Sequence, residues 1–168
     1  LILNERATGK PFNFGDSVHE MPLGFRRITD GEKIILGNRS WIVRVGNGHA
    51  PEHLTLWCED EPIVIAGDQI ISSISPNLGV YATEPEADPV QEWLMSCEAF
   101  LPFSNDKQLV LPGHKLPFYG LPHRLKQLIE NHHSALKRLV AFLKEPQTAV
   151  DCFPVLFNRK ISDNEYGL

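Results

Sequence analysis

The chain has 168 residues, of which 42% are hydrophobic and 22% charged, with a formal net charge of −5. These values fit one ordinary globular domain, or a domain and a half with a real core. They exclude a membrane-spanning helix, since no run approaches 18 apolar residues, and they argue against a nucleic-acid surface on the main body, where residues 1–120 hold 9 Lys/Arg against 16 Asp/Glu.

Residues 121–168 reverse the balance, with 7 basic against 5 acidic residues. This basic tail keeps a polyanionic partner in view only weakly. No signal-peptide pattern is present. Cys58, Cys97 and Cys152 are odd in number and form no CxxC pair, so they read as reduced thiols of a cytoplasmic protein. The first residue is Leu1 rather than methionine, and the expectation is a fragment of a longer chain.

Residues 1–24 carry many breakers, among them Gly9, Pro11, Gly15 and Pro22, and read as loop with at most a helical turn. Phe25 to Ile28 is expected as a strand, Asp30-Gly31 as a turn and Glu32 to Leu36 as a second strand. Gly37-Asn38 is a further turn signal. Ser40 to Val45 alternates in polarity and reads as a half-buried strand. Leu54 to Cys58 continues in β character, and Glu59 to Pro62 is a polar hairpin loop. Ile63 to Ala66 is a continuous apolar run, expected to be a strand covered on both faces.

Residues 69–86 read as loop with a short strand around Val80. Asp88-Pro89 opens a helix, with Asp88 as N-cap and Pro89 in the first helical position. Trp93, Leu94, Cys97 and Leu101 give it an apolar face. Lys107 to Leu111 is the last expected strand. From Leu121 onward Leu125, Leu128, His132, Leu139 and Leu143 recur at helical spacing over about six turns, and Pro146 ends that helix. Thr148 to Asp151 resembles a capping box opening a second helix through Phe157, with Pro154 awkwardly inside it. The expected class is therefore α/β (α+β), with a main body over residues 1–120 and a helical region over residues 121–168.

Three strand ends stand out. Gly48-His49-Ala50-Pro51-Glu52-His53 follows the Trp41–Val45 run. Gly67-Asp68 follows Ile63–Ala66. Leu111-Pro112-Gly113-His114 follows the last strand. Taken singly, each His or Asp is most simply a turn residue. Together they place imidazole and carboxylate at three tips of one sheet, the donor types that a borderline ion such as zinc takes. A glycine before each lets the backbone turn sharply.

In order and spacing these three motifs resemble the third, fourth and fifth metal motifs of the metallo-β-lactamase superfamily. The resemblance covers roughly residues 25–160. It implies the C-terminal half of an αβ/βα sandwich, with His49 ligating one metal, His114 the second and Asp68 bridging both. His53 matches a supporting histidine outside the ligand set. The sequence departs from the family in lacking its H-x-H-x-D-H signature; the only histidine before His49 is His19. The half of the sandwich that carries that signature is expected to be missing.

Residues 121–168 are similar to the small winged-helix-like extension of one branch, which includes glyoxalase II-like hydrolases and lactamase-like proteins acting on thioesters or RNA. His132 lies on the apolar stripe, with His133 beside it. Packed or boundary histidines are the simpler reading; a helix over the active-site mouth that touches substrate is the other. Tyr119 could donate to substrate, although a structural tyrosine is the commoner case.

The resemblance implies a hydrolase holding two zinc ions, iron or manganese also fitting such ligands. It acts by metal-bound hydroxide on a thioester or ester, with a small-molecule substrate and no membrane partner. The alternatives are a metallo-phosphodiesterase or ribonuclease of the same fold, and a non-catalytic domain. With three ligands only, the fragment is expected to be inactive alone. The uncovered sheet face is expected to associate with the missing N-terminal half or with itself.

Overall fold

The computed structural model describes His19, Glu20 and residues 22–162. The loop expected over residues 1–24 therefore lies almost wholly outside the described residues. Five strands form one mixed sheet in sequence order: β1 (Lys33–Leu36), β2 (Arg39–Gly46), β3 (His53–Cys58), β4 (Ile63–Gly67) and β5 (Leu109–Pro112). Neighbours pair antiparallel from β1 to β4, and β4 pairs parallel with β5. The parallel pair needs a crossover. It is made by α1 (Pro89–Phe100) and a short 3-10 turn, Leu101–Phe103. Two more helices follow, α2 (Leu121–Phe142) and α3 (Ala149–Phe157).

Local signals in the sequence account for the starts of α1 and α3. The Asp88 side chain accepts a hydrogen bond from the Gln91 backbone N–H at 3.0 Å, and Pro89 opens α1. Both halves of the capping box form between Thr148 and Asp151 at the start of α3. That helix runs through Pro154, where the ring removes one helical hydrogen bond.

Two expected strands are absent. Phe25 to Ile28 is not a strand, and Phe25 is exposed. The hairpin partner expected for it, β1, stays at the edge of the sheet, and the chain at the expected turn bonds to β2 instead: Val43 exchanges backbone hydrogen bonds with Gly31 and Glu32, and the Val45 N–H donates to Asp30 Oδ1. Val80 is likewise exposed and lies in irregular chain, so its apolar character reports no sheet position.

The register sorts the sheet into two faces. Ile42, Trp57, Val64 and Val110 are cross-strand partners in turn. Of these, Trp57, Val64 and Val110, with Ala66, form one core with Trp93, Leu94, Cys97 and Phe100 of α1 and Leu121, Leu125 and Leu128 of α2. Within that core, desolvation pushes the Cys97 thiol up to about 12, so it serves as a small apolar residue. The other face carries the row Val43, Leu56, Ile65 and Leu111. There Ile65 is 39% exposed. Expected cover on both faces of β4 is thus corrected: Val64 and Ala66 are buried, whereas Ile65 faces outward. A continuous apolar run does not distinguish these cases; among the described residues, the helices that join this core do so on the Val64 face.

Helix α2 begins at Leu121, just after the boundary expected at residue 120. Its first two turns are buried with the sheet, whereas Leu136, Val140 and Leu143 are exposed. α3 packs against α2, and the Arg138 guanidinium donates to the Val155 and Leu156 carbonyls at 3.1 and 3.0 Å. No helix among the described residues is long and apolar enough to cross a membrane.

Candidate metal centre

Strand ends β2, β4 and β5 bring the three tips together. Asp68 follows β4 directly, and Gly113 and His114 follow β5, held alongside by the Gly113 N–H on the Gly67 carbonyl at 2.8 Å. His49 lies in the turn between β2 and β3. Asp68 Oδ2 is 3.7 Å from His49 Nε2 and 3.3 Å from His114 Nε2. Both imidazoles therefore converge on one carboxylate oxygen.

These separations can be compared with what an ion requires. Tetrahedral zinc with bonds of about 2.0–2.1 Å holds its ligand atoms roughly 3.3 Å apart. The His114–Asp68 pair has that spacing and the His49–Asp68 pair is slightly wider. Among the described residues no group of three or more His, Cys, Asp or Glu is gathered to hold a single ion. The contacts run from His49 to Asp68 to His114, with Asp68 shared, a pattern suited to a carboxylate lying between two ions. Asp68 Oδ1 and His53 Nδ1 are buried without hydrogen-bond partners. Buried polar atoms are normally satisfied, so an orphaned carboxylate oxygen here fits a cationic occupant.

The surrounding chain aims these groups. His49 Nδ1 lies 2.9 Å from the Asn77 carbonyl. A carbonyl can only accept, so Nδ1 carries the proton and Nε2 keeps its lone pair for the centre. Gly48 sits at φ +94°, and a Cβ there would come within 2.3 Å of the Pro89 carbonyl and 2.5 Å of Trp93 Cβ. Only glycine lets the His49 turn settle so closely on the start of α1. At Gly113 the reason is close approach alone: a Cβ would lie 2.6 Å from Asp68 Oδ1. Asn47 closes the same turn, its side chain accepting from the Glu52 N–H at 2.9 Å.

His53 stands beside the trio. Its ring centroid is 5.7 Å from that of His49, and it lies against Gly67. Burial, then the neighbouring His49, lowers its pKa below the ordinary histidine value. His114 is the most open of the set, its side chain 67% exposed, against 24% for His49 and 26% for Asp68. A cleft of about 630 Å³ opens beside His49 and is lined in part by Asn47, Tyr81, Glu84 and Glu92. It does not extend to Asp68 or His114.

The remaining candidates lie elsewhere. His132 packs its ring 4.8 Å from that of Trp93, and its Nδ1 donates to the Leu128 carbonyl. It thus stands behind Trp93 rather than among the three tips. His133 and Tyr119 are exposed, and none of their contacts places them at Asp68. Three supporting residues escaped the motif reading. Gln69 is fully buried; its side chain donates to the Asn47 carbonyl and its own carbonyl accepts from Trp93 Nε1. Asn77 acts through its backbone, which no side-chain pattern encodes. Arg124 does carry a signal: it falls on the apolar stripe between Leu121 and Leu128, where a charged residue needs a reason.

Comparison with known proteins agrees with this architecture. No family model matches the sequence, and no curated protein matches it. Among solved structures, the chain is similar to a β-lactamase domain protein from Burkholderia ambifaria, with 33% identity, a TM-score of 0.75, and 92% of this chain and 48% of that one covered. It is also similar to a metallo-β-lactamase family protein from Thermus thermophilus, with 27% identity, a TM-score of 0.69, and coverage of 94% and 52%. The chain thus spans about half the length of the solved structures it matches. Its mixed sheet and flanking helices are a partial metallo-β-lactamase fold, and by that fold the chain belongs to the metallo-β-lactamase superfamily.

Proposed function

We propose that this chain supplies part of a dinuclear metal-dependent hydrolase acting on a thioester or ester. The observation that carries the reading is the convergence of His49 and His114 on one oxygen of Asp68. In this reading His49 holds one ion, His114 the other, and Asp68 lies between them. Bound divalent ions of this kind, zinc by ligand chemistry, would act as Lewis acids and bring a water's pKa toward neutrality. The chain's own residues position the donors: Asn77 fixes the His49 tautomer, and Gln69 and Trp93 hold the turn that carries it. The cleft beside His49 would take the substrate. Glu84 and Glu92 on its wall repel a polyanion, which favours a small molecule over RNA for this site.

With one histidine for each ion and one shared aspartate, the set falls short of the three protein ligands usual for a catalytic zinc. The remaining donors would come from further polypeptide of the same fold. Exposed Ile65, beside half-buried Leu56 and Leu111, supports this, since apolar side chains on a sheet face suit a second packed layer. That layer would be the other half of the sandwich or a second copy. Alone, the chain is expected to self-associate in light scattering, and Ile65→Lys to shift it toward monomer. A wild-type monomer at all concentrations would count against the open-face reading.

Metal titration tests the centre itself. This chain is expected to bind zinc weakly, and a preparation that includes the completing half to bind two ions tightly and cleave a panel of thioesters. Cleavage of single-stranded RNA but no thioester would favour the phosphodiesterase reading. Absence of both activities in the metal-loaded whole would favour a non-catalytic domain.

A further inference from the structure

Arg124 is 8% exposed, on the apolar stripe of α2. Its Nε donates to the Ile71 carbonyl at 2.8 Å and its Nη2 to the Ile74 carbonyl at 2.9 Å, while Nη1 bonds Gln127 Oε1. A buried cation is costly unless fully hydrogen-bonded, and none of these partners is a carboxylate. An apolar residue would fill the stripe at less cost, so the guanidinium has another task.

What it grips is the segment that leaves the metal centre and returns to it. That segment begins at Asp68 and Gln69, passes Ile71 and Ile74, and three residues later presents the Asn77 carbonyl to His49 Nδ1 at 2.9 Å. Ile70 and Ile71 are buried, but Ser73, Ile74, Ser75 and Asn77 are exposed. Pro76 is buried and Leu78, just past Asn77, packs against the core, so side-chain packing holds the end of the segment but not residues 73–75. The planar guanidinium supplies what is missing, because two parallel donors hold two carbonyls in fixed relation.

We propose that Arg124 is a positioning residue for the metal centre: its guanidinium sets the course of residues 71–77, and through the Asn77 carbonyl it fixes the tautomer and aim of His49. The effect on metal affinity rests on reading His49 as a metal ligand; the effect on the tautomer does not. Arg138 provides the comparison. It donates to two carbonyls in the same way, at Val155 and Leu156 of α3, on a part of the chain that does not lead to the centre.

The test compares Arg124→Met, Arg124→Lys and Arg138→Met with the wild-type chain. Histidine ring nitrogens are read by long-range ¹H–¹⁵N correlation spectra of the metal-free proteins, and zinc affinity by competition with a chromogenic chelator. Wild type is expected to carry its His49 proton on Nδ1. In Arg124→Met the His49 signals are expected to move toward a mixture of tautomers, while His132, held by the Leu128 carbonyl, stays as in wild type. Zinc affinity is expected to fall about tenfold, within the range of outer-shell partners. Arg124→Lys is expected to fall between, since one ammonium does not span both carbonyls as the fork does. Arg138→Met is expected to change neither reading. An unaltered His49 tautomer in Arg124→Met overturns the proposal, as does the same change in Arg138→Met. If Arg124→Met does not fold, an unaltered His49 in Arg124→Lys overturns it. Should wild type take up no zinc, the metal reading fails, and the tautomer comparison still decides the role of Arg124.

Discussion

Replacing Asp68 with asparagine is expected to cost more than about 100-fold in zinc affinity while leaving the metal-free fold as stable as before, or more so. Outer-shell partners are worth about 10–100-fold in affinity, and a shared inner ligand stands above that range. Asparagine keeps the shape but offers a neutral oxygen. The stability side follows from the orphaned Oδ1, which is buried with no partner. Desolvating a carboxylate oxygen that has no hydrogen-bond partner is unfavourable. At about pH 8 without metal, Asp68→Asn is therefore expected to gain up to about 1 kcal/mol. Chelator competition reads the first effect and thermal melts in EDTA the second. A loss of several kcal/mol without metal would show that Asp68 is there to hold the fold. Stability given up at a functional position is a common trade, and this variant separates the two roles.

Much of this arrangement was legible from local chemistry. Asp88-Pro89 and Thr148–Asp151 announce helix starts because capping uses side chains and short spacings. The glycine-flanked His49, Asp68 and His114 announce strand ends for a similar reason. What escaped the sequence depends on tertiary neighbours. Phe25 to Ile28 has strand composition, yet the expected turn at Asp30-Gly31 is bonded to β2 and does not lead it back along β1. Ile65 reads as buried, yet nothing in an apolar run tells which face a helix will cover. The Asn77 carbonyl is a backbone acceptor that any residue could supply. Arg124 was readable in principle, since a cation on an apolar stripe demands partners, but its partners lie 53 and 50 residues away.

The site and the core therefore share one wall. The turn carrying His49 sits on α1, the segment carrying Asn77 is gripped by α2, and both helices pack on the face opposite Ile65. The exposed Ile65 leaves its part of that face open to a second layer without disturbing these supports. A completing half can then add its ligands to donors that are already aimed, so less ordering is left to the moment of binding.

Trp93 is where that shared wall is most exposed to mutation. Its side chain is fully buried, Gly48 rests on its Cβ, His132 lies across its ring, and its Nε1 donates to the Gln69 carbonyl at 3.0 Å. Trp93→Ala is expected to cost about 3–5 kcal/mol, a large share of the roughly 5–15 kcal/mol that holds a domain. Trp93→Phe separates packing from support. It retains most of the ring and loses the N–H, leaving the Gln69 carbonyl without that donor at a cost of about 1–3 kcal/mol. Gln69 also holds the Asn47 carbonyl through its side chain, so loosening it is expected to reach the His49 turn. Urea midpoints are expected to fall modestly for Trp93→Phe and severely for Trp93→Ala, and zinc affinity to fall in Trp93→Phe although the protein stays folded. Wild-type zinc affinity in Trp93→Phe would mean that the His49 turn is held by Gly48 and Asn47 alone, and that Trp93 belongs to the core and not to the site.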